Sequence, residues 1–93
     1  MASFESNWLR WSIFKWRLEQ LSAEVFDKID RCENVEVLRL LGKHNHHLTW
    51  CEANWNYAEP SENNNPESDK DSLDRLIDYM ADIEAETREL LAM

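Results

Sequence analysis

The 93-residue sequence contains one glycine and two prolines, whereas an average globular chain of this length has about six glycines. Because β-sandwiches and β-barrels need many turn residues, this scarcity excludes a turn-rich all-β fold. Gly42 has no neighbouring glycine with which to form a phosphate-binding loop. No apolar run approaches the ~18 residues of a transmembrane helix, and the N-terminus lacks the continuous apolar stretch of a signal peptide.

Cysteine is also scarce, since Cys32 and Cys51 are the only two and a disulfide-based scaffold needs more. Without a secretion signal we expect both to be reduced thiols in a cytoplasmic protein, in the host cytoplasm if the protein is viral. The alternative of a single disulfide bond between Cys32 and Cys51 is not decided by the sequence. Apolar residues make up 43% of the chain, which predicts one folded domain over residues 1–93.

Charge is distributed unevenly along the chain, whose net charge is −9. Residues 1–47 hold seven basic and seven acidic side chains, whereas residues 48–93 hold three basic and twelve acidic ones. We therefore expect no direct binding to nucleic acid or to a membrane, because both need a basic footprint. An acidic half favours a basic protein partner, although it could also serve only to keep the protein soluble.

The first segment, about residues 3–32, has apolar residues at helical spacing. Nine positions separated by three or four residues predict a helix roughly 45 Å long, capped by Ser3 or Ser6. Ile13, Trp16 and Phe26 fall outside this stripe, so we expect the helix to be covered on two sides. The stripe consists of Phe4, Trp8, Trp11, Phe14, Leu18, Leu21, Val25, Ile29 and Cys32.

A second helix is predicted from about residue 34 to residue 58, with Asn34 as its N-cap. The run Leu40-Leu41-Gly42-Lys43 is typical of a helix C-terminus that ends on glycine, yet helical spacing continues beyond it. We therefore predict that the second helix is bent or broken at Gly42. The alternative is a continuous helix, in which this glycine costs about 1 kcal/mol.

Residues 59–70 are predicted to form a loop, because Pro60 and Pro66 bracket three asparagines there. The third helix then begins at Ser68 or Asp71 and runs to about residue 91. Its apolar seam has regular steps of three and four residues: Leu73, Leu76, Met80, Ile83, Thr87 and Leu90. Three long helices with one stripe each predict an all-α protein, either an antiparallel three-helix bundle or an elongated helical hairpin-type bundle.

All three histidines and one cysteine lie between positions 44 and 51. On a helix His44, His47 and Cys51 share a face, and imidazole and thiolate are natural zinc ligands. The spacing matches no standard zinc module, so we expect no metal and no other cofactor. A Cys/His nucleophile pair is disfavoured as well, because one glycine offers little from which to build an oxyanion loop. We expect the chain not to be an enzyme.

Aromatic residues form two groups. Near the N-terminus they alternate with Arg10, Lys15 and Arg17, a mixture typical of nucleic-acid surfaces, but we favour pairing of these cations with the acidic third helix inside the fold. The second group has residue types that are common in binding hot spots, although it could simply close one end of the bundle. Its members are Trp50, Trp55 and Tyr57.

These patterns favour a small acidic protein-binding module that inhibits a larger protein by occupying its basic, nucleic-acid-binding surface. Phage proteins directed against host enzymes or host defence have this general character. The predicted acidic site is Asp74, Asp78, Asp82, Glu84, Glu86 and Glu89, and the predicted aromatic contacts are Trp16, Trp50, Trp55 and Tyr57. One alternative is a helical subunit or adaptor that forms homo-oligomers or a tight complex through its aromatic faces. Another is a zinc-dependent regulator.

Overall fold

The computed structural model describes residues 2–93, and within them every regular element is an α-helix. The helices are α1 (Phe4–Arg31), α2 (Val35–Tyr57) and α3 (Pro66–Leu91). Each helix packs against the other two, which confirms an all-α fold of three packed helices. The molecule measures 48 × 18 × 17 Å, so its long axis matches the predicted length of the first helix. Over residues 2–93, none of the helices is both long enough and apolar enough to cross a membrane.

Side chains cap the N-terminus of each helix. The Ser3 hydroxyl accepts a hydrogen bond from the Ser6 amide at 3.1 Å. The Asn34 side chain accepts from the amides of Glu36 and Val37, at 3.0 and 3.2 Å. These bonds satisfy amides that have no partner within the helix, and they confirm the two caps that the sequence indicates.

Helix α2 passes through Gly42 without interruption, so the predicted break is absent. No glycine of the described residues has a positive φ, and the left-handed cap therefore does not form. Leu41 and Leu48, on either side of the glycine, are fully buried. Because burying a leucine stabilises by about 2 kcal/mol, this packing outweighs the cost of one glycine in the helix. A bend at Gly42 stays a prediction.

We expect Gly42→Ala to raise the free energy of unfolding by about 1 kcal/mol, the difference in helix propensity between the two residues. A Cβ added at this position meets no atom within 4 Å, so the substitution introduces no clash. Urea denaturation followed by circular dichroism measures the change. A loss of stability would show that the backbone at residue 42 departs from a regular helix.

The loop between α2 and α3 is shorter than predicted, since α3 begins at Pro66 rather than at Ser68 or Asp71. Proline suits the first helical position, where its missing amide hydrogen would have no partner. Asn65 caps the helix by accepting a hydrogen bond from the Glu67 amide at 2.9 Å. The Asn65-Pro66 pair was therefore a start signal rather than part of the loop.

The core follows the predicted stripes with one displacement in α1. Trp8, predicted to lie in the stripe, is 45% exposed, whereas its neighbour Asn7 is 1% exposed. The Asn7 side-chain amide donates to the Pro66 carbonyl oxygen at 2.9 Å, and this bond offsets the cost of burying a polar group. The α3 seam is confirmed, with Leu73, Met80 and Ile83 among its buried residues.

Two tryptophans join α1 to α2 by a reciprocal pair of hydrogen bonds. The Trp11 indole donates to the Trp55 carbonyl oxygen at 2.8 Å, and the Trp55 indole donates to the Trp11 carbonyl oxygen at 2.9 Å. Trp55 is 1% exposed and its ring lies 6.4 Å from that of Phe14. Each buried indole therefore has its polar atom satisfied while its ring fills the core.

Candidate functional site

Two of the six predicted acidic site residues are engaged within the fold. Asp74 accepts from Arg10 at 2.7 Å and from Lys70 at 3.0 Å, and Glu84 accepts from Arg17 at 2.6 Å. The bond from Arg10, followed by that from Lys70, lowers the pKa of Asp74. These contacts confirm that cations of α1 pair with α3, and they leave Asp74 and Glu84 less able to meet a partner.

The third cation of that group, Lys15, does not reach α3. Its ammonium lies 4.8 Å from the centre of the Trp11 ring, a distance that allows a cation–π interaction. Arg17 makes a similar contact, with its guanidinium 5.0 Å from the centre of the Phe14 ring. All three cations are therefore held by neighbours within the chain.

Four other carboxylates form a stripe along the outside of α3. Asp71, Asp78, Asp82 and Glu89 are all exposed, and none forms an ion pair within residues 2–93. Steps of seven, four and seven residues place them on one helix face over about 27 Å. We call these four residues the α3 acidic stripe. It contains three of the predicted site residues together with Asp71.

The remaining predicted carboxylate, Glu86, faces α2. It is exposed, and one of its oxygens lies 4.0 Å from the His44 Nε2 atom. The other ring nitrogen of His44, Nδ1, lies 3.3 Å from the hydroxyl of Thr87. Glu86 therefore borders the groove between α2 and α3, beside the α3 acidic stripe.

The predicted aromatic contacts fall into different environments. Trp16 and Trp50 are 60% and 49% exposed, and Tyr57 is 93% exposed at the end of α2. Trp55 was predicted to meet a partner, but it is buried in the core, where its indole bonds to α1. Its position at helical spacing from Leu48 and Cys51 already indicated a core role.

An exposed aromatic pair joins α2 to α3. The rings of Trp50 and Tyr79 meet edge to face, with centroids 4.9 Å apart and an interplanar angle of 64°. Tyr79 is 39% exposed and was not among the predicted site residues, and neither was Asp71. The seven-residue step from Asp71 to Asp78 could have indicated Asp71, whereas only the contact with Trp50 of α2 identifies Tyr79.

A second exposed apolar surface lies on α1. About half or more of the surface of each of three side chains is exposed: Leu9, Ile13 and Trp16. Their steps of four and three residues place them on one face of the helix. We call these three residues the α1 apolar stripe. The sequence predicts that α1 is covered on two sides, but Ile13, Trp16 and Phe26 are exposed, so no part of residues 2–93 covers this second side.

The histidine and cysteine cluster does not form a metal site. Within residues 2–93, no group of three or more His, Cys, Asp or Glu residues is arranged to hold a metal ion. His47 is exposed, His44 is half-buried and Cys51 is buried. Burial, together with the charge of Glu52, raises the pKa of Cys51 to about 11, so this thiol is protonated at neutral pH and is a poor ligand or nucleophile. Cys32 and Cys51 are both free thiols.

The α3 acidic stripe lies on an exposed face of the bundle, where its carboxylates are solvated. Comparisons with protein-family models, with curated proteins and with solved structures find no match to this chain.

Proposed function

We propose that this chain is a small, non-enzymatic protein-binding module whose α3 acidic stripe occupies a basic, nucleic-acid-binding surface of a larger protein. The supporting observation is that the four exposed carboxylates of this stripe form no ion pair within residues 2–93. The proposed setting is the cytoplasm, where an inhibitor of this kind would act on a host enzyme or a host defence protein.

The stripe is not needed for folding. The seam of α3 buries Leu73, Met80 and Ile83, and the ion pairs of Asp74 and Glu84 already join α3 to α1. Asp78 and Asp82, four residues apart, instead repel each other by a few tenths of a kcal/mol. A basic partner would relieve this repulsion, and the negative field would speed its association.

We also propose that neighbouring helices along the chain run antiparallel, so that α1 and α3 point the same way. Contacts between α1 and α3 support this, because residue numbers rise together from Arg10–Asp74 to Glu24–Arg88. Contacts between α2 and α3 run in the opposite order, from His44–Thr87 to Trp50–Tyr79. In this arrangement the short connection 32–34 and the longer connection 58–65 lie at opposite ends of the bundle, and neither crosses the outside of α3.

Capture from a nuclease-treated bacterial lysate tests the proposal. We expect the tagged chain to retain a basic protein at low salt and to release it both at high salt and on addition of duplex DNA, because salt screens the contact and DNA competes for the same surface. A variant carrying Asp78→Lys, Asp82→Lys and Glu89→Lys, called the reversed variant below, should retain none. A partner that duplex DNA cannot displace would contradict the proposal.

A second candidate function is that of a structural subunit that associates with itself through the α1 apolar stripe. Its supporting observation is the exposure of Leu9, Ile13 and Trp16 on two successive turns of one helix. Positions i, i+4 and i+7 are those that a helix presents to a second helix. Helix α1 carries as many basic as acidic residues, so two copies could meet there without the repulsion that α3 would cause.

Sedimentation at increasing protein concentration checks this candidate. We expect the parent chain to reach the mass of a dimer and Ile13→Lys to stay a monomer, because a charge at the centre of the stripe cannot be buried without a partner. Val35→Lys is the matched control, since Val35 is 78% exposed but lies outside the stripe, and it should dimerise like the parent. A monomeric parent at high concentration would exclude self-association.

A further inference from the structure

The exposed aromatic pair Trp50–Tyr79 lies beside the carboxylates of α3. Asp78 precedes Tyr79 in the chain, and Asp82 follows it by three residues, which puts Asp82 one turn away on the same side of the helix. Glu86 lies one further turn along, where it faces His44 of α2. The aromatic pair and these carboxylates therefore lie along the same edge of the bundle, within one or two helical turns of each other on α3.

The chain already contains one complete arrangement of this kind. Arg17 lies over the Phe14 ring at 5.0 Å while its guanidinium donates to the Glu84 carboxylate at 2.6 Å. Ring and cation are three residues apart on α1, and the carboxylate comes from α3. The Trp50–Tyr79 edge offers the same two components, since two exposed rings lie one helical turn from the Asp82 carboxylate.

The cation on the outside of α3 does not fill this position. Arg75 lies four residues before Tyr79, one turn away. Over residues 2–93 it takes part in neither an ion pair nor a cation–π contact, and Asp82 takes part in no ion pair. The edge is thus available to a cation from another molecule.

We propose that Trp50, Tyr79 and Asp82 form a docking site for an arginine side chain of the basic partner. This inference rests on the proposed function and specifies which cation that partner presents. A guanidinium is planar and weakly hydrated, so it can stack on a ring while its N–H groups bond to a carboxylate. A lysine ammonium is a strongly hydrated point charge and gains less from the aromatic faces. The carboxylates of the stripe contribute to an arginine preference through bidentate bonds, and the aromatic pair adds a stacking contribution that depends on Trp50.

Oligoarginine and oligolysine peptides of equal length test the site by calorimetric titration of the full chain at low salt. We expect oligoarginine to bind about three- to fivefold more tightly, which is the size of an exposed cation–π contact. Trp50→Ala should reduce this preference while leaving the salt-dependent binding of both peptides. Trp16→Ala removes another exposed tryptophan, 60% exposed against 49% for Trp50, from α1 and should keep the full preference.

Two further variants make the result independent of folding defects. Tyr79→Phe retains the ring and should retain the preference, whereas Trp50→Leu retains apolar bulk and should reduce the preference as Trp50→Ala does. Equal affinity of the parent for both peptides, or an arginine preference that is undiminished in Trp50→Ala and Trp50→Leu, would overturn the arginine site and leave the proposed function standing. Binding of both peptides that is unchanged in the reversed variant would overturn the proposed function itself.

Discussion

Replacing Trp55 with alanine is expected to lower the free energy of unfolding by about 3–5 kcal/mol, the usual cost of truncating a buried tryptophan. The ring is 1% exposed and packs near Phe14, so its loss leaves a cavity. The indole of Trp11 keeps its acceptor, since that acceptor is the backbone carbonyl of residue 55. Because small domains have a total stability of roughly 5–15 kcal/mol, this substitution removes a large share of it.

Two variants separate packing from hydrogen bonding at this position. Trp55→Phe keeps most of the ring but loses the donor to the Trp11 carbonyl, so it should cost less than the alanine variant while still losing about 1 kcal/mol from the bond. Trp16→Ala, on the exposed face of α1, should change stability by no more than about 0.5 kcal/mol. Guanidinium denaturation measures all three. A loss below about 1 kcal/mol for Trp55→Ala would show that this contact does not organise the core.

Helix positions were largely predictable because their signals are local and repeated. Steps of three and four residues over eight turns, together with caps such as Ser3 and Asn34, leave few alternatives to long helices. The predictions were wrong where a long-range contact determines the local structure. Gly42 continues the helix because Leu41 and Leu48 pack in the core on either side of it, and no local pattern shows this.

The burial of Asn7, where the sequence predicts burial of Trp8, also depends on a long-range contact. Asn7 lies four and seven residues before Trp11 and Phe14, in line with the centre of the α1 stripe, whereas Trp8 lies about 100° away around the helix. Residue type nevertheless favoured Trp8, because an aromatic side chain is buried more often than an amide. Asn7 is buried because its side-chain amide donates to the carbonyl of Pro66, a residue that is distant in sequence and that no local pattern connects to Asn7.

The negative charge of the candidate surface was predictable from the sequence, but the residues that form this surface were not. Composition alone placed the negative charge in the second half, and heptad spacing placed it on the outside of α3. Which carboxylates are available depends on pairing across helices: Arg10 and Arg17 engage Asp74 and Glu84. Tyr79 became a candidate only once Trp50 of α2 was found against it.

Charge reversal of the α3 acidic stripe is expected to slow partner association at least tenfold at low salt. The reversed variant changes Asp78, Asp82 and Glu89, which have no internal ion pair among the described residues, so helicity and melting temperature should stay nearly unchanged. Asp74 is left intact because Arg10 and Lys70 bind it, and its reversal would disturb the contact between α1 and α3.

The matched control carries the same change in net charge at other exposed acidic positions. Asp30→Lys, Glu33→Lys and Glu62→Lys replace three exposed carboxylates outside α3 that also lack ion pairs within residues 2–93. If only the net charge of the chain governed association, this control would associate as slowly as the reversed variant. If the partner binds the α3 acidic stripe, we expect the control to associate at nearly the parental rate.

The most direct test of the account is the association rate of the captured basic partner with the parent chain, the reversed variant and the control, measured at low salt and then at increasing salt. We expect the reversed variant to associate slowly, the control to associate at nearly the parental rate, and the difference between parent and reversed variant to close as salt screens the charges. If the reversed variant associates as fast as the parent at low salt, the acidic stripe serves only solubility and the structural-subunit function replaces the proposed one.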